Sequence, residues 1–217
     1  MKKSDRAKLI LKVLNDIYPD TPVPLNHSSI FELLIAVLLS AQCTDVRVNK
    51  VTPKLFSKAN NPYKMKKIPL DTIYNIVKPC GLAPKKSRAI KELSSIIVKD
   101  YNGQVPESFT ELEKLPGVGH KTASVVMSQG FGHPAFPVDT HIHRLAQRWG
   151  LTNGKNVSQT EKDLKNIFPE KSWNKLHLQI IFYGREFCKA RSCYGLTCKI
   201  CNLCYPRRKK AVKTIKP

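Results

Sequence analysis

The 217-residue sequence predicts an all-α protein of about ten helices. Three observations carry that prediction. Apolar residues recur at helical spacing along most of the chain. Serine-led capping boxes stand ahead of several apolar runs. Prolines and glycines punctuate the segments between, and no run of alternating residues reads as a strand. The chain holds no repeat and no low-complexity segment.

Residues 5–18 place Ile10, Val13, Leu14 and Ile17 on one face of a first helix, which Pro19, Pro22 and Pro24 end. Ser28 or Ser29 caps the next, IFELLIAVLLSA, which is apolar almost all round and therefore belongs in a core. Gln42-Cys43-Thr44-Asp45 closes it and opens a third helix, with Val48, Val51 and Leu55 on one face and a kink expected at Pro53. Residues 70–78 form a short helix that ends before Pro79. After Cys80-Gly81-Leu82-Ala83, Pro84 suits the first turn of a helix running to about Lys99, with Ile90, Leu93 and Ile97 inward. Asn102-Gly103 makes a turn, and Ser108-Phe109-Thr110-Glu111 is a capping box. Asp139 starts a helix carrying Ile142, Leu145 and Ala146 that stops at Gly150. Ser158-Gln159-Thr160-Glu161 caps another, with Leu164, Ile167 and Phe168. Leu176, Ile180 and Tyr183 mark a last long helix toward Cys188.

The totals restrict the partners. Net charge is +21, and the sequence pI is about 9.8. Residues 47–99 hold thirteen Lys/Arg against two acids, and residues 187–217 hold nine and none. Such a surface suits a polyanion, either nucleic acid or an anionic membrane; a merely solvated basic surface is the plainer alternative. The longest apolar run, Ile30 to Ala41, is interrupted by Glu32 and too short to span a bilayer. Met1-Lys2-Lys3-Ser4 leads into an amphipathic helix and not a secretory signal. A soluble, cytoplasmic protein is expected, nucleoid-associated in a bacterial cell, monomeric and without a membrane partner.

One stretch concentrates the chemistry: LPGVGHKTASVVMSQGFGHPAFPVDTHIHR, Leu115 to Arg144. Gly117 and Gly119 let bare backbone approach a ligand. The helix after the turn aims N–H groups and a positive dipole end outward, which suits a phosphate. Lys121 lies in its first turn, where an amine can act as a nucleophile. Taken singly, Lys121 reads as a solvated lysine and Asp139 as an ordinary N-cap; only the joint pattern points to catalysis.

Hairpin, lysine and Val138-Asp139-Thr140-His141 together resemble the endonuclease III branch of the helix–hairpin–helix, Gly/Pro-Asp superfamily of DNA glycosylases. LSAQCTDVRVNK is also similar to that family, and the resemblance runs from Leu9 to Cys204. It implies two helical domains flanking a DNA-binding cleft. One is a six-helix domain over 23–133 with the helix–hairpin–helix; the other joins 1–22 to 134–217 and carries an iron–sulfur cluster. It implies a bifunctional DNA glycosylase/AP lyase of base excision repair. The partner would be double-stranded DNA with an oxidised pyrimidine or an abasic site. Lys121 would displace the base and form an imine, and β-elimination would then cleave 3′ to the abasic site, with Asp139 handling the proton or the developing charge. Gln42 would fill the gap left by the extruded nucleotide, and Leu82 would be the wedge between base pairs. Gly117, Val118, Gly119 and His141 would contact DNA. Two alternatives stay open: a glycosylase for another base, such as uracil or an oxidised purine, and a non-catalytic helix–hairpin–helix DNA-binding protein. An adenine glycosylase of the same superfamily is disfavoured by Lys121.

Five of seven cysteines crowd into Cys188-KARS-Cys193-YGLT-Cys198-KI-Cys201-NL-Cys204. In a cytosolic chain that density argues for a metal, iron–sulfur or zinc, over disulfides. The resemblance implies a [4Fe–4S] cluster, usually on C-x6-C-x2-C-x5-C. This chain departs from that spacing while keeping the overall span. The expected ligands are Cys188, Cys198, Cys201 and Cys204, with Cys193 in place of Cys201 as the alternative. Lys189 and Arg191, in the first loop, are expected to touch phosphates. Arg207-Arg208-Lys209-Lys210 reads as a flexible electrostatic arm.

Overall fold

The computed structural model describes residues 1–216; Pro217 lies outside them. Twelve α-helices and no strand occur among the described residues. The chain divides into two compact units, Val23–His133 and the discontinuous pair Met1–Pro22 with Pro134–Pro217.

The Val23–His133 unit is built on α2 (Ile30–Ser40), the helix whose apolar residues run all round. Ser29 caps it by accepting from the Glu32 N–H. Leu33, Leu34, Ile35 and Leu39 are fully buried, each contributing about 1.5–3 kcal/mol of apolar burial. Around it pack α3 (Asp45–Lys58), α4 (Pro62–Met65), α5 (Leu70–Val77), α6 (Ala83–Asp100), α7 (Phe109–Lys114) and α8 (His120–Val125). Helix α3 runs on through Pro53, and α8 continues into a π-turn over Val126–Gly130. Ser108 caps α7, but only half of the capping box forms, because Glu111 turns instead to Tyr101 and Lys114.

The other unit packs α1 (Lys3–Ile17), α9 (Thr140–Arg148), α10 (Val157–Ile167), α11 (Trp173–Glu186) and α12 (Lys199–Cys204) around Phe136, Trp149 and Tyr183. Helix α10 starts earlier than its sequence suggests. Asn156, not Ser158, is the N-cap, accepting from the Gln159 N–H at 2.7 Å; asparagine caps as well as serine does, and it stands one residue before the first helical turn.

The basic tail corrects the expectation of a flexible arm. Arg208 donates to the Arg148 and Gly195 carbonyls and stacks 3.7 Å over the Tyr205 ring. The Val212 N–H donates to Tyr194 O, and Ile215 exchanges two hydrogen bonds with Gln147. Charge counting saw four solvated cations; one of them is a structural strut.

The hairpin between α7 and α8 depends on Gly117. Its φ is +78°, and a Cβ there would lie 2.8 Å from Ala89 Cβ and 3.0 Å from Leu38 Cδ1. Gly119 has an extended backbone and open space around it. Gly117→Ala is therefore expected to lose about 1–3 kcal/mol, and Gly119→Ala no more than about 0.5 kcal/mol. Denaturant unfolding of the two variants checks this; equal losses would refute the packing argument.

Candidate active site and metal centre

Lys121 stands exposed in the first turn of α8, directly after the hairpin. Leu115 and Val118 are buried and anchor that turn in the core. The N-cap is Gly119, so no side chain closes the first turn of α8. His120 beside it is paired with Glu113 at 2.8 Å.

In the other unit, Ala135–Val138 is buried and leads to Asp139, the N-cap of α9. Its Oδ1 accepts from the Ile142 N–H at 2.8 Å. The cap fixes the carboxylate in place and takes up one of its two oxygens. The carboxylate interacts with His141, whose pKa is nonetheless pushed below the usual histidine value, by burial first and then by Arg144 and Arg185. Arg144 lies 3.3 Å from His141 Nδ1.

Gln42 and Leu82 occupy two turns of the Val23–His133 unit, both exposed and both left-handed, at φ 55° and 50°. Leu82 is also the N-cap of α6. Lys189 and Arg191 are exposed on the loop after α11. That loop is pinned by Arg148, a buried residue without any sequence signal, which donates to the carbonyls of Cys188, Lys189 and Ala190 and to Cys188 Sγ at 3.3 Å.

Four buried thiols, Cys188, Cys193, Cys198 and Cys201, lie within 4.8 Å of one another. Cys204, expected from sequence among the ligands, is buried but stands outside that group, and Cys193 stands within it. The reason is local. Tyr194 and Gly195 both take positive φ, and the Leu196 N–H bonds back to Cys193 O. That turn sets Cys193 Sγ 3.9 Å from Cys201 Sγ, where the sequence reading placed Cys204. Cys198 is the N-cap of α12 and Cys201 lies in its first turn, whereas Cys204 comes one turn later. Hydrogen bonds with Cys188 and Cys201 pull the Cys198 thiol strongly down, while those with Cys188 and then Cys198 push Cys201 up. A set of four thiolates suits zinc or an iron–sulfur cluster.

The model of the HhH-GPD superfamily of base excision DNA repair proteins matches residues 35–170. Endonuclease III of Bacillus subtilis (strain 168) is 43% identical over 209 residues, covering 96% of this chain and 95% of its own length. The chain belongs to the endonuclease III family. The family's structures agree: a non-covalent endonuclease III–DNA complex superposes with a TM-score of 0.89 at 42% identity, covering 94% of this chain and 96% of the other. A trapped endonuclease III–DNA covalent intermediate gives 0.87 at 42% identity, covering 92% and 94%. As an endonuclease III family member, this protein is a DNA glycosylase and abasic-site lyase of base excision repair, which removes the alternative of a non-catalytic DNA-binding protein. No helix among the described residues is long and apolar enough to cross a membrane.

Proposed function

We propose that this enzyme excises oxidised pyrimidines from duplex DNA and nicks the strand through an imine on Lys121. The observation that carries the reading is an exposed lysine in the first turn after a glycine hairpin, in a family with a trapped protein–DNA covalent intermediate. A damaged base inside a duplex is out of reach, so the nucleotide must leave the stack. The Lys121 amine then bonds to C1′ as the glycosidic bond breaks, and the base leaves with a proton. The sugar ring opens to a protonated imine, which acidifies the C2′ proton. Loss of that proton expels the 3′ phosphate, and water releases Lys121. Gly117 and Gly119 present backbone N–H groups to a phosphate, Val118 holds the turn between them with its own N–H on Leu115 O, and His141, Lys189 and Arg191 add DNA contacts. Gln42 fills the space the nucleotide vacates, and Leu82 wedges between base pairs. A cytoplasmic monomer suits this reading.

Asp139 takes up the amine's proton or stabilises positive charge on the sugar. Asp139→Asn keeps the N-cap and removes the charge. Base release should slow by on the order of 10²-fold or more, while nicking of a ready-made abasic site suffers less, since no base has to leave. Single-turnover rates on both substrates check it. Equal losses on the two would remove Asp139 from the base-release step. A panel of damaged-base duplexes tests the pyrimidine preference.

For the thiol group we propose a [4Fe–4S] cluster on Cys188, Cys193, Cys198 and Cys201, holding the loop before α12 in place. The family resemblance and the all-thiol donor set support iron–sulfur. A single zinc ion is the second reading, favoured by the sulfur spacing: metal–sulfur bonds of about 2.3 Å give tetrahedral edges of about 3.8 Å, close to the two 3.9 Å contacts Cys201 makes.

A further inference from the structure

Gln42 and Leu82 are two of four non-glycine residues with positive φ among the described residues. That conformation costs roughly 1–2 kcal/mol per residue and persists only where the surroundings impose it. One side chain serves both turns. Lys86, in the first turn of α6, is 4% exposed. Its ammonium donates to Leu39 O, Ala41 O and Cys80 O, each at 2.8 Å. The first two carbonyls end α2, immediately before Gln42. The third lies two residues before Leu82. The Lys86 backbone N–H also donates to Leu82 O at 3.0 Å. Three carbonyls use all three donors of an ammonium. Cys43 and Cys80, one from each turn, interact beside it. Burial, then Cys43, pushes the Cys80 thiol up to about 11, and burial holds the Lys86 ammonium below the usual lysine range.

A buried cation is a costly way to fill space, and an apolar side chain of equal volume would pack more cheaply. It could not, however, satisfy three carbonyls from two chain segments. Helix-end carbonyls also favour a cation. We propose that Lys86 is a positioning residue that clamps the Gln42 turn to the Leu82 turn, so that the two side chains enter the duplex as one rigid two-pronged wedge. The proposal rests on the duplex-filling reading of Gln42 and Leu82. Extruding a nucleotide costs a few kcal/mol, and prongs that had to be ordered at the same moment would add their own entropy to it.

The test compares metal-loaded Lys86→Met with the parent enzyme on two substrates: an oxidised pyrimidine paired in a duplex, and the same lesion unpaired in a bulge, where extrusion is cheapest. Single-turnover cleavage of the paired lesion should fall by about a hundredfold, the scale of a wedge misplaced by an ångström, and cleavage of the bulged one by less than about fivefold. Iodoacetamide alkylation of Cys80, mapped by mass spectrometry, should accelerate at least about tenfold, since the turn now opens locally. Lys86→Arg should recover part of both effects. In a Gln42→Ala/Leu82→Ala background, Lys86→Met should add almost nothing on the paired lesion, because residues that act as a unit are not additive. Unchanged Cys80 alkylation overturns the clamp, and equal losses on the two substrates overturn its role in extrusion. If Gln42→Ala/Leu82→Ala itself treats the two substrates alike, the wedge reading falls, while Cys80 protection still reports whether Lys86 joins the turns. Should Lys86→Met give no holoenzyme, Lys86→Gln, with two donors left, takes its place.

Discussion

Lys121→Gln is expected to bind abasic-site duplex, to form no borohydride-stable adduct and to leave no nick. The substitution removes the amine while roughly keeping side-chain length. Lys121 is exposed in the first turn of α8, so nothing in the core depends on it, and folding should be unaffected within about 0.5 kcal/mol. The hairpin with its buried Leu115 and Val118 stays, and so does the +21 net charge less one. Binding should therefore persist and weaken with salt, as phosphate contacts do. The chemistry should not persist. Borohydride reduces an imine to a secondary amine, so the parent enzyme should be trapped on abasic-site or oxidised-pyrimidine DNA as a covalent complex visible in a denaturing gel. Without the Lys121 nitrogen that bond has no donor, and the loss should exceed the detection range of the assay, at least about 10⁴-fold for an essential nucleophile. An adduct formed by Lys121→Gln at the parent level would mean that another amine is the nucleophile, and the central assignment would fail.

The sequence made the helices legible because their apolar periodicity and caps are local. Ile10, Val13 and Leu14 in α1, the all-apolar α2, and Pro84 at the start of α6 are each read within one or two turns of chain. Errors came where two local signals compete. Asn156 and Ser158 both offer a cap, and the winner is the one whose side chain meets the N–H three residues on. The family and its lyase chemistry were legible too, since hairpin, Lys121 and Asp139 lie within one continuous stretch.

The long-range ties were not legible. Lys86 looks like any lysine of a basic helix, yet it closes contacts to residues 39 and 41. Arg148 ends α9 and holds a loop forty residues away. Arg208 sits in a basic run and packs against Arg148 and Gly195. Each is a long cation satisfying backbone carbonyls, a use that charge counting assigns to solvent. The thiol group shows the same limit: spacing identifies a cluster of cysteines, but that Cys193 and not Cys204 lies beside Cys188, Cys198 and Cys201 depends on the positive φ of Tyr194 and Gly195.

That choice makes the second large prediction. Cys198→Ser and Cys193→Ser should each lose the metal, and Cys204→Ser should retain it. Residues 188–204 have little apolar core of their own beyond Ile200 and the thiols themselves, so in the proposed site the ligand bonds would do the holding. Binding to a structural zinc site is worth an apparent ~10–16 kcal/mol in small thiolate domains, far more than the about 2–3 kcal/mol available from packing one side chain. Loss of one ligand should therefore expose the loop to proteolysis between Cys188 and Cys204 and lower the melting temperature, with Arg148 left holding an unanchored strand. Cys204 is buried near Arg6 and Arg208, so Cys204→Ser should cost about 1 kcal/mol of stability and leave metal content unchanged. Metal analysis per chain, read with the absorbance near roughly 400 nm expected for thiolate-bound iron, decides both ligand set and metal. A brown parent protein with about four irons supports the cluster, and a colourless one with one zinc, prepared anaerobically from iron-replete cells, supports the tetrahedral ion. Full metal retention in Cys193→Ser together with loss in Cys204→Ser would return the ligand set to Cys188, Cys198, Cys201 and Cys204.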